Sequence, residues 1–322
     1  MTERRRTRRI EAGGLAIGGD APISVQSMTN TPTRDTEATV EQILRLEKAG
    51  CDLVRVAVPD SEAAEALGSI KSRIRIPLAA DIHFDYRLAL TAIDQGVDKL
   101  RLNPGNIKDT ERIGLIADRA REAGIPIRVG VNAGSLDRKR YGEPTPDALV
   151  RSALDEIALL ESRDFHDIAI SLKSFDVPTT IQAYRMISDK VDYPLHLGVT
   201  EAGLLRQGTI RSAVGIGALL AEGIGDTLRV SLTADPVEEV SVGIEILKSL
   251  NLRRHGYTIV SCPTCARCGI DLVSIVTEVE RRLAEIEDLP PLKVAVMGCV
   301  VNGPGEASDA DVGIAGSKDG GM

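Results

Sequence analysis

Short runs rich in Val, Ile and Leu recur along most of the chain, separated by longer stretches in which apolar residues return every three or four positions. The runs are ISVQSM from Ile23, DLVRVAV from Asp52, PLAADIH from Pro77, KLRLNPG from Lys99, PIRVGVN from Pro126, HDIAISLKS from His166, PLHLGVT from Pro194 and DTLRVSLT from Asp226. Their length and β-branched content predict strands. The intervening stretches carry helix signals at both ends. DTEATVEQILRLEKAG opens on Asp35, whose carboxylate can cap the first amides, and stops at Gly50. DTERIGLIADRAREAG repeats the arrangement from Asp109 to Gly124.

Strands that alternate with amphipathic helices pair in parallel, because each helix returns the chain to the same end of the sheet. Eight such units within residues 1–250 predict an α/β fold, a closed (β/α)8 TIM barrel. An open doubly wound sheet is the competing arrangement, but no glycine-rich dinucleotide turn follows the first strand. From about Gly256 the pattern changes. A strand, YTIVSC, precedes a helix from Asp271 to about Glu287 with Leu272, Ile275, Val276, Val279 and Leu283 on one face. A strand LKVAVMGC and a turn-rich segment VVNGPGEASDADVGIAG follow. Residues 251–322 thus read as a small α+β domain, of a size that usually needs a staple such as a metal centre.

Composition narrows the function. Of 322 residues, 43% are apolar and 27% charged, as in a soluble globular protein, and 2% aromatic with no Trp, so Val, Ile, Leu and Ala must build the core. A net charge of −8 argues against nucleic acid as a partner. The one basic run, RRRTRR from Arg4 to Arg9, reads as a solvated terminal tail. With neither an apolar span nor a signal peptide, a cytoplasmic protein without membrane attachment is expected. In a reducing compartment, closely spaced cysteines read as metal ligands or redox groups.

SCPTCARC places Cys262, Cys265 and Cys268 where a strand runs into a helix, and Cys299 ends the next strand. Thiolates from one turn and a neighbouring strand end can converge on a tetrahedral zinc ion or an iron–sulfur cluster, and the compressed spacing favours iron–sulfur. Counting thiols alone, all four would be ligands. Cys51, alone after a helix end, reads as a buried structural cysteine.

Active sites of such barrels lie at the C-terminal ends of the strands. There this chain carries Arg55, Asp81, His83, Arg101, Asn103, Arg128, Asn132, Lys173, Thr200, Glu201, Arg229 and Ser231. Five of these are cationic in an acidic protein. Unpaired and partly buried, they would cost several kcal/mol in desolvation. A ligand with more than one phosphate removes that cost. Glu201, within VTEAG, is placed to donate a proton.

QSMTNT from Gln26, ADIHFD from Ala80, RLNPGNI from Arg101, SCPTC from Ser261 and GCVVNGPGEA from Gly298 together resemble the bacterial 4-hydroxy-3-methylbut-2-enyl diphosphate synthase family over nearly the whole chain. The resemblance implies a [4Fe–4S] enzyme of isoprenoid biosynthesis that reductively opens 2-C-methyl-D-erythritol 2,4-cyclodiphosphate and removes an oxygen. It implies a homodimer in which the cluster of one chain caps the barrel of the other, and flavodoxin or ferredoxin as electron donor. It also implies a ligand set of Cys262, Cys265, Cys299 and Glu306, leaving Cys268 a bystander. Substrate contacts carried over are Arg55, Arg101, Arg128, Asn132, Lys173, Thr200, Arg229 and Ser231, with Glu201 as the acid. Two rival readings are a sugar-phosphate lyase or isomerase with a structural zinc site, and a redox carrier or sensor without chemistry of its own. The first leaves Glu306 without a role, and the second leaves the rim cations unexplained.

Overall fold

The computed structural model describes residues 2–102, 110–286, 289–299, 303–317 and 320–321. It divides into two compact units, residues 1–252 and 253–322. The first opens with an antiparallel hairpin, β1 (Ile10–Ala12) and β2 (Leu15–Ile17), turned by Gly13 and Gly14 at φ +56° and +84°. Strand and helix then alternate as β3 (Ser24–Met28), α1 (Thr36–Lys48), β4 (Leu53–Ala57), α2 (Ser61–Lys71), β5 (Leu78–Ile82), α3 (Tyr86–Asp94) and β6 (Lys99–Leu102). The alternation continues through α4 (Thr110–Ala123), β7 (Ile127–Asn132), the short α5 (Arg138–Tyr141), α6 (Pro146–Glu161), β8 (Ile168–Lys173) and α7 (Val177–Ser188). It ends with β9 (His196–Leu197), α8 (Leu205–Ala221), β10 (Thr227–Leu228) and α9 (Pro236–Ser249).

The helix starts follow local chemistry. Asp35, Asp60, Thr145 and Asp176 each accept an amide hydrogen from the first turn of their helix, satisfying a donor that has no partner within it. Asp109, expected to cap α4, lies outside the described residues. The eight-stranded sheet runs β8-β7-β6-β5-β4-β3-β10-β9, with all neighbours parallel. A parallel bridge between Ile170 and Leu195 joins its two edges, so the expected barrel is closed.

Alternation along the strands separates two environments. Outward positions such as Val54, Val56, Ile127, Val129, Ile168 and Ile170 are buried in one continuous apolar core with Ile43, Leu67, Ile116 and Leu160 of the helices. Inward positions near the strand starts, Leu53, Ala79 and Ala169, pack with Ile10, Ala12 and Ile17 of the hairpin, which plugs that end. Most of the remaining inward positions are polar, in place of the layers of branched apolar residues usual in such barrels.

The basic run Arg4–Arg9 is not a solvated tail. Arg4 pairs with buried Asp226 at 2.8 Å, and Thr7 Oγ1 donates to the same carboxylate at 2.9 Å. The Arg5 guanidinium donates to the carbonyl oxygens of Ser188, Val191 and Tyr193, and Arg8 lies over the Tyr193 ring at 4.9 Å. Helix ends leave carbonyls unpaired, and guanidinium donors satisfy them.

The second unit contains β11 (Tyr257–Ser261), α10 (Leu272–Ala284), β12 (Leu292–Met297), α11 (Gly303–Glu306), β13 (Val312–Ser317) and β14 (Gly320–Gly321). Its sheet runs β11-β12-β13-β14, antiparallel only in the last pair. Leu272, Ile275, Val276, Val279 and Leu283 cover one face against Val294 and Val296. Ala295, Met297 and Ala315 form a small core on the other.

Arg4→Met should therefore destabilise the protein by about 1–3 kcal/mol, because buried Asp226 loses its charged partner. A urea midpoint equal to that of the unaltered protein would return this segment to the solvent.

Candidate active site

The inward face of the barrel carries the expected cations. Asp81, Arg101 and Arg128 stand side by side in register on β5, β6 and β7, on strands about 4.8 Å apart. Asn132 and Lys173 are paired in the same way at the ends of β7 and β8. Thr200, Arg229 and Ser231 follow β9 and β10 and are half-buried. Arg55, Arg101, Arg128 and Lys173 are at most 8% exposed, so their charges meet inside the barrel rather than in solvent. Asn103 lies outside the described residues.

Two carboxylates offset part of this charge. Asp81, itself buried, lies 3.1 Å from Arg101 Nη1, 3.6 Å from Arg55 Nε and 3.5 Å from His83 Nε2. Burial alone would raise its pKa, but Arg55, the His83 hydrogen bond and Arg101 together hold it far below the usual carboxylate range. The second, Glu239, was not foreseen. It projects from α9, 3% exposed, and accepts from Arg229 at 3.2 Å, from the Leu232 amide at 3.0 Å and from Ser27 at 3.3 Å. It fixes the Arg229 guanidinium from behind.

The remaining positive charge has no acceptor. Burial, opposed by Asp81 and reinforced by the neighbouring Arg229 and Arg101, brings Arg55 down to about 10, so it stays cationic at neutral pH. Burial, followed by Arg128, Arg55, Arg229 and Arg101, depresses Lys173 well below the usual lysine value. Arg128 Nη1 and Arg101 Nε are buried without hydrogen-bond partners. His196 is fully buried, and burial plus Arg128 and Lys173 keep its ring neutral. Donors facing inward without acceptors form a well suited to phosphate oxygens.

Glycines make room for the long side chains. A Cβ at Gly198 would lie 2.6 Å from both Lys173 Nζ and the Arg229 carbonyl oxygen. At Gly130 it would lie 2.7 Å from Arg101 Nε. Glu201 stands at the rim, exposed, with a left-handed backbone at φ +55°, which is uncommon for a residue with a side chain and frequent at functional sites.

In the second unit, the β11/β12 register sets Ser261 against Val296, so Cys262 and Cys299 leave the same ends of adjacent parallel strands. Cys262 Sγ accepts the Gly298 amide at 3.2 Å, the kind of hydrogen bond that tunes cluster sulfurs. Cys265 is exposed, and Glu306 ends α11, which packs against β12 and β13. Cys268 turns its thiol toward the Ile270 carbonyl at 3.3 Å and, like Cys262, packs partly buried against the apolar core. Among the described residues, no three His, Cys, Asp or Glu side chains group closely enough to hold a single metal ion. A cluster, whose irons each take their own protein ligand, needs no such crowding. Cys262 and Cys299 past adjacent strand ends, Cys265 in the turn after β11 and Glu306 at the end of α11 are donors of the kind an iron–sulfur group takes. Cys51, in the barrel unit, is buried beside the Leu53 carbonyl.

A family model described as the GcpE TIM-barrel domain matches residues 7–244, and one described as the GcpE protein C-terminal domain matches residues 258–322. The chain belongs to the GcpE family. It is 60% identical over 316 residues to a protein of Caldanaerobacter subterraneus named 4-hydroxy-3-methylbut-2-en-1-yl diphosphate synthase (flavodoxin), covering 97% of this chain and 88% of that one. A Geobacter sulfurreducens protein of the same name is 58% identical, covering 98% and 90%. Among solved structures, dihydropteroate synthase of Yersinia pestis superposes with a TM-score of 0.55 at 13% identity, covering 76% of this chain and 98% of that one. 3-Dehydroquinate dehydratase of Geobacillus kaustophilus superposes at 0.54 and 16%, with the same coverage. These two likenesses show the barrel alone. No helix among the described residues of this GcpE protein is long and apolar enough to cross a membrane.

Gly198→Ala in this GcpE protein should place a methyl group where the Lys173 amine lies. We expect a lower Tm and loss of at least tenfold in pyrophosphate affinity, read by thermal shift across a ligand titration. Unchanged affinity would remove Lys173 from the well.

Proposed function

We infer that the protein is a 4-hydroxy-3-methylbut-2-enyl diphosphate synthase, reducing 2-C-methyl-D-erythritol 2,4-cyclodiphosphate to 4-hydroxy-3-methylbut-2-enyl diphosphate in isoprenoid biosynthesis. The observation that carries the reading is the cationic well of a GcpE barrel, in which Arg128 Nη1 and Arg101 Nε are buried without acceptors, on a chain that also carries three cysteines and a glutamate in its second unit. The reaction balances with two electrons and two protons: the carbon–oxygen bond to one phosphate breaks, and the neighbouring hydroxyl leaves as water.

Arg55, Arg101, Arg128, Lys173 and Arg229 bind the two phosphates, and their charges grow in value as the well excludes water. Asp81 and Glu239 lock three of these guanidiniums, so orientation costs little when substrate enters. Asn132, Thr200 and Ser231 direct hydrogen bonds from the rim. Glu201 is the acid beside the departing hydroxyl. Cys262, Cys265, Cys299 and Glu306 would hold a [4Fe–4S] cluster, which when bound supplies electrons one at a time and a Lewis-acidic iron. Glu306 is the harder and more readily displaced of these ligands. The names of the relatives support flavodoxin as electron donor in preference to ferredoxin. A homodimer in the cytoplasm completes the reading.

Anaerobically purified protein should contain about four iron and four sulfide per chain. Cys262→Ser, Cys265→Ser and Cys299→Ser should each lose colour and turnover, whereas Cys268→Ser keeps both. Glu306→Ala should lose most turnover, and Glu201→Gln should lose about 10²–10⁴-fold in kcat. A colourless protein with stoichiometric zinc and full activity in Glu306→Ala would overturn the reading in favour of a lyase with a structural metal.

A further inference from the structure

One inward cation is left out of the phosphate-binding set. Lys99 begins β6, two residues before Arg101 and so on the same face of the strand. It is 1% exposed, and its Nζ has no hydrogen-bond partner. The charges that act on it most are the guanidiniums of Arg128 and Arg55. The inward-facing carboxylate, Asp81, is committed to Arg55, Arg101 and His83. Lys173, itself depressed well below the usual lysine value by burial and Arg128, faces the same interior, and His196 is neutral. Asp98, next in the chain, is turned away to Lys71 and the Leu78 amide. An ammonium here would be buried with like charges and no acceptor, an arrangement relieved by giving up its proton. Burial first, then Arg128 and Arg55, lower Lys99 to about 7.

We propose that Lys99 is the proton-accepting base of the phosphate well: above neutral pH its amine is neutral while the well is empty and takes one proton from solvent as a cyclic diphosphate enters. Two phosphates reverse the sign of the local field and make the ammonium the stable form. Each phosphate of the cyclic compound carries only a strongly acidic hydroxyl, so the ligand itself exchanges no proton near neutral pH. Binding is then linked to proton uptake at this side chain, and affinity falls as pH rises above the value of the empty state. The inference rests on reading the well as the site of the substrate's phosphates.

Calorimetric titration of the anaerobic, cluster-loaded protein with the cyclic diphosphate, without reductant and in buffers of different ionisation enthalpy, tests this. Uptake of about half a proton is expected at pH 7, rising towards one by pH 8.5, with affinity weakening up to about tenfold per pH unit in that range. Lys99→Met should bind with the uptake reduced by that share, any remainder belonging to Lys173. Lys99→Arg, which keeps the charge permanently, should lose the same share, and its affinity should fall less steeply with pH. Binding without proton uptake at pH 8.5, or an uptake in either variant equal to that of the unaltered protein, would overturn the proposal. Failure of the unaltered protein to bind the compound at all would overturn the reading of the well, and the proposal with it.

Discussion

Inside the barrel, among the described residues, Arg55, Lys99, Arg101, Arg128, Lys173 and Arg229 meet the carboxylates of Asp81 and Glu239. Such an excess of buried positive charge pushes the strands apart and deprives each cation of water. The empty well is sustained by what surrounds it. The outward faces of the same strands are almost wholly aliphatic and bury against the helices in one continuous core. That packing, at about 25 cal/mol per Å² of apolar area, holds a lining that would not hold itself. The hairpin adds Ile10, Ala12 and Ile17 at the closed end, and Arg4 and Arg5 strap the segment before it to the barrel.

Much of this order was legible from pattern. Period-two strands and capped amphipathic helices obey local chemistry, so the eight strands, and the strand ends carrying cations, could be read residue by residue. What escaped depends on contacts between distant parts of the chain. Glu239 looks like one more acid on the first turns of α9, and only the closure of β10 against that helix sets it behind Arg229. Lys99 and His196 sit within apolar runs as ordinary strand residues until the barrel turns them inward together. The Arg4–Arg9 run has the composition of a tail, yet its partners are Asp226 and the carbonyl ends of helices some 180 to 220 residues away. Gly130 and Gly198 gave no sign in sequence that they mark the space of an arginine and a lysine.

The second unit follows another logic. Its sheet has two thin apolar faces, one covered by α10 and the other by a few small side chains. A core of that size gains from any further link between its strand ends, and a cluster bridging Cys262, Cys265 and Cys299 would be such a link. Gly298 shows how closely the strand ends are set. Its amide donates to Cys262 at 3.2 Å, and a Cβ there would meet Cys268 Sγ. Cys268 thus has a packing role at the same spot where its spacing suggests a ligand, which is why thiol counting misleads.

Charge of this kind attracts any compact polyanion and so cannot by itself select one. Selection falls to the groups that carry no net positive charge at the rim. Asn132 beside Lys173, Thr200 after β9 and Ser231 after β10 have directional hydrogen bonds that a ligand either matches or leaves broken. Glu201 goes further, because its carboxylate is a poor neighbour for phosphate and its left-handed backbone costs about 1–2 kcal/mol. A residue that opposes both the local conformation and the charge of the ligand is retained at a binding rim only if it meets a part of the ligand that is not phosphate. In the proposed reaction the alcohol carbons of the cyclic diphosphate would provide that part.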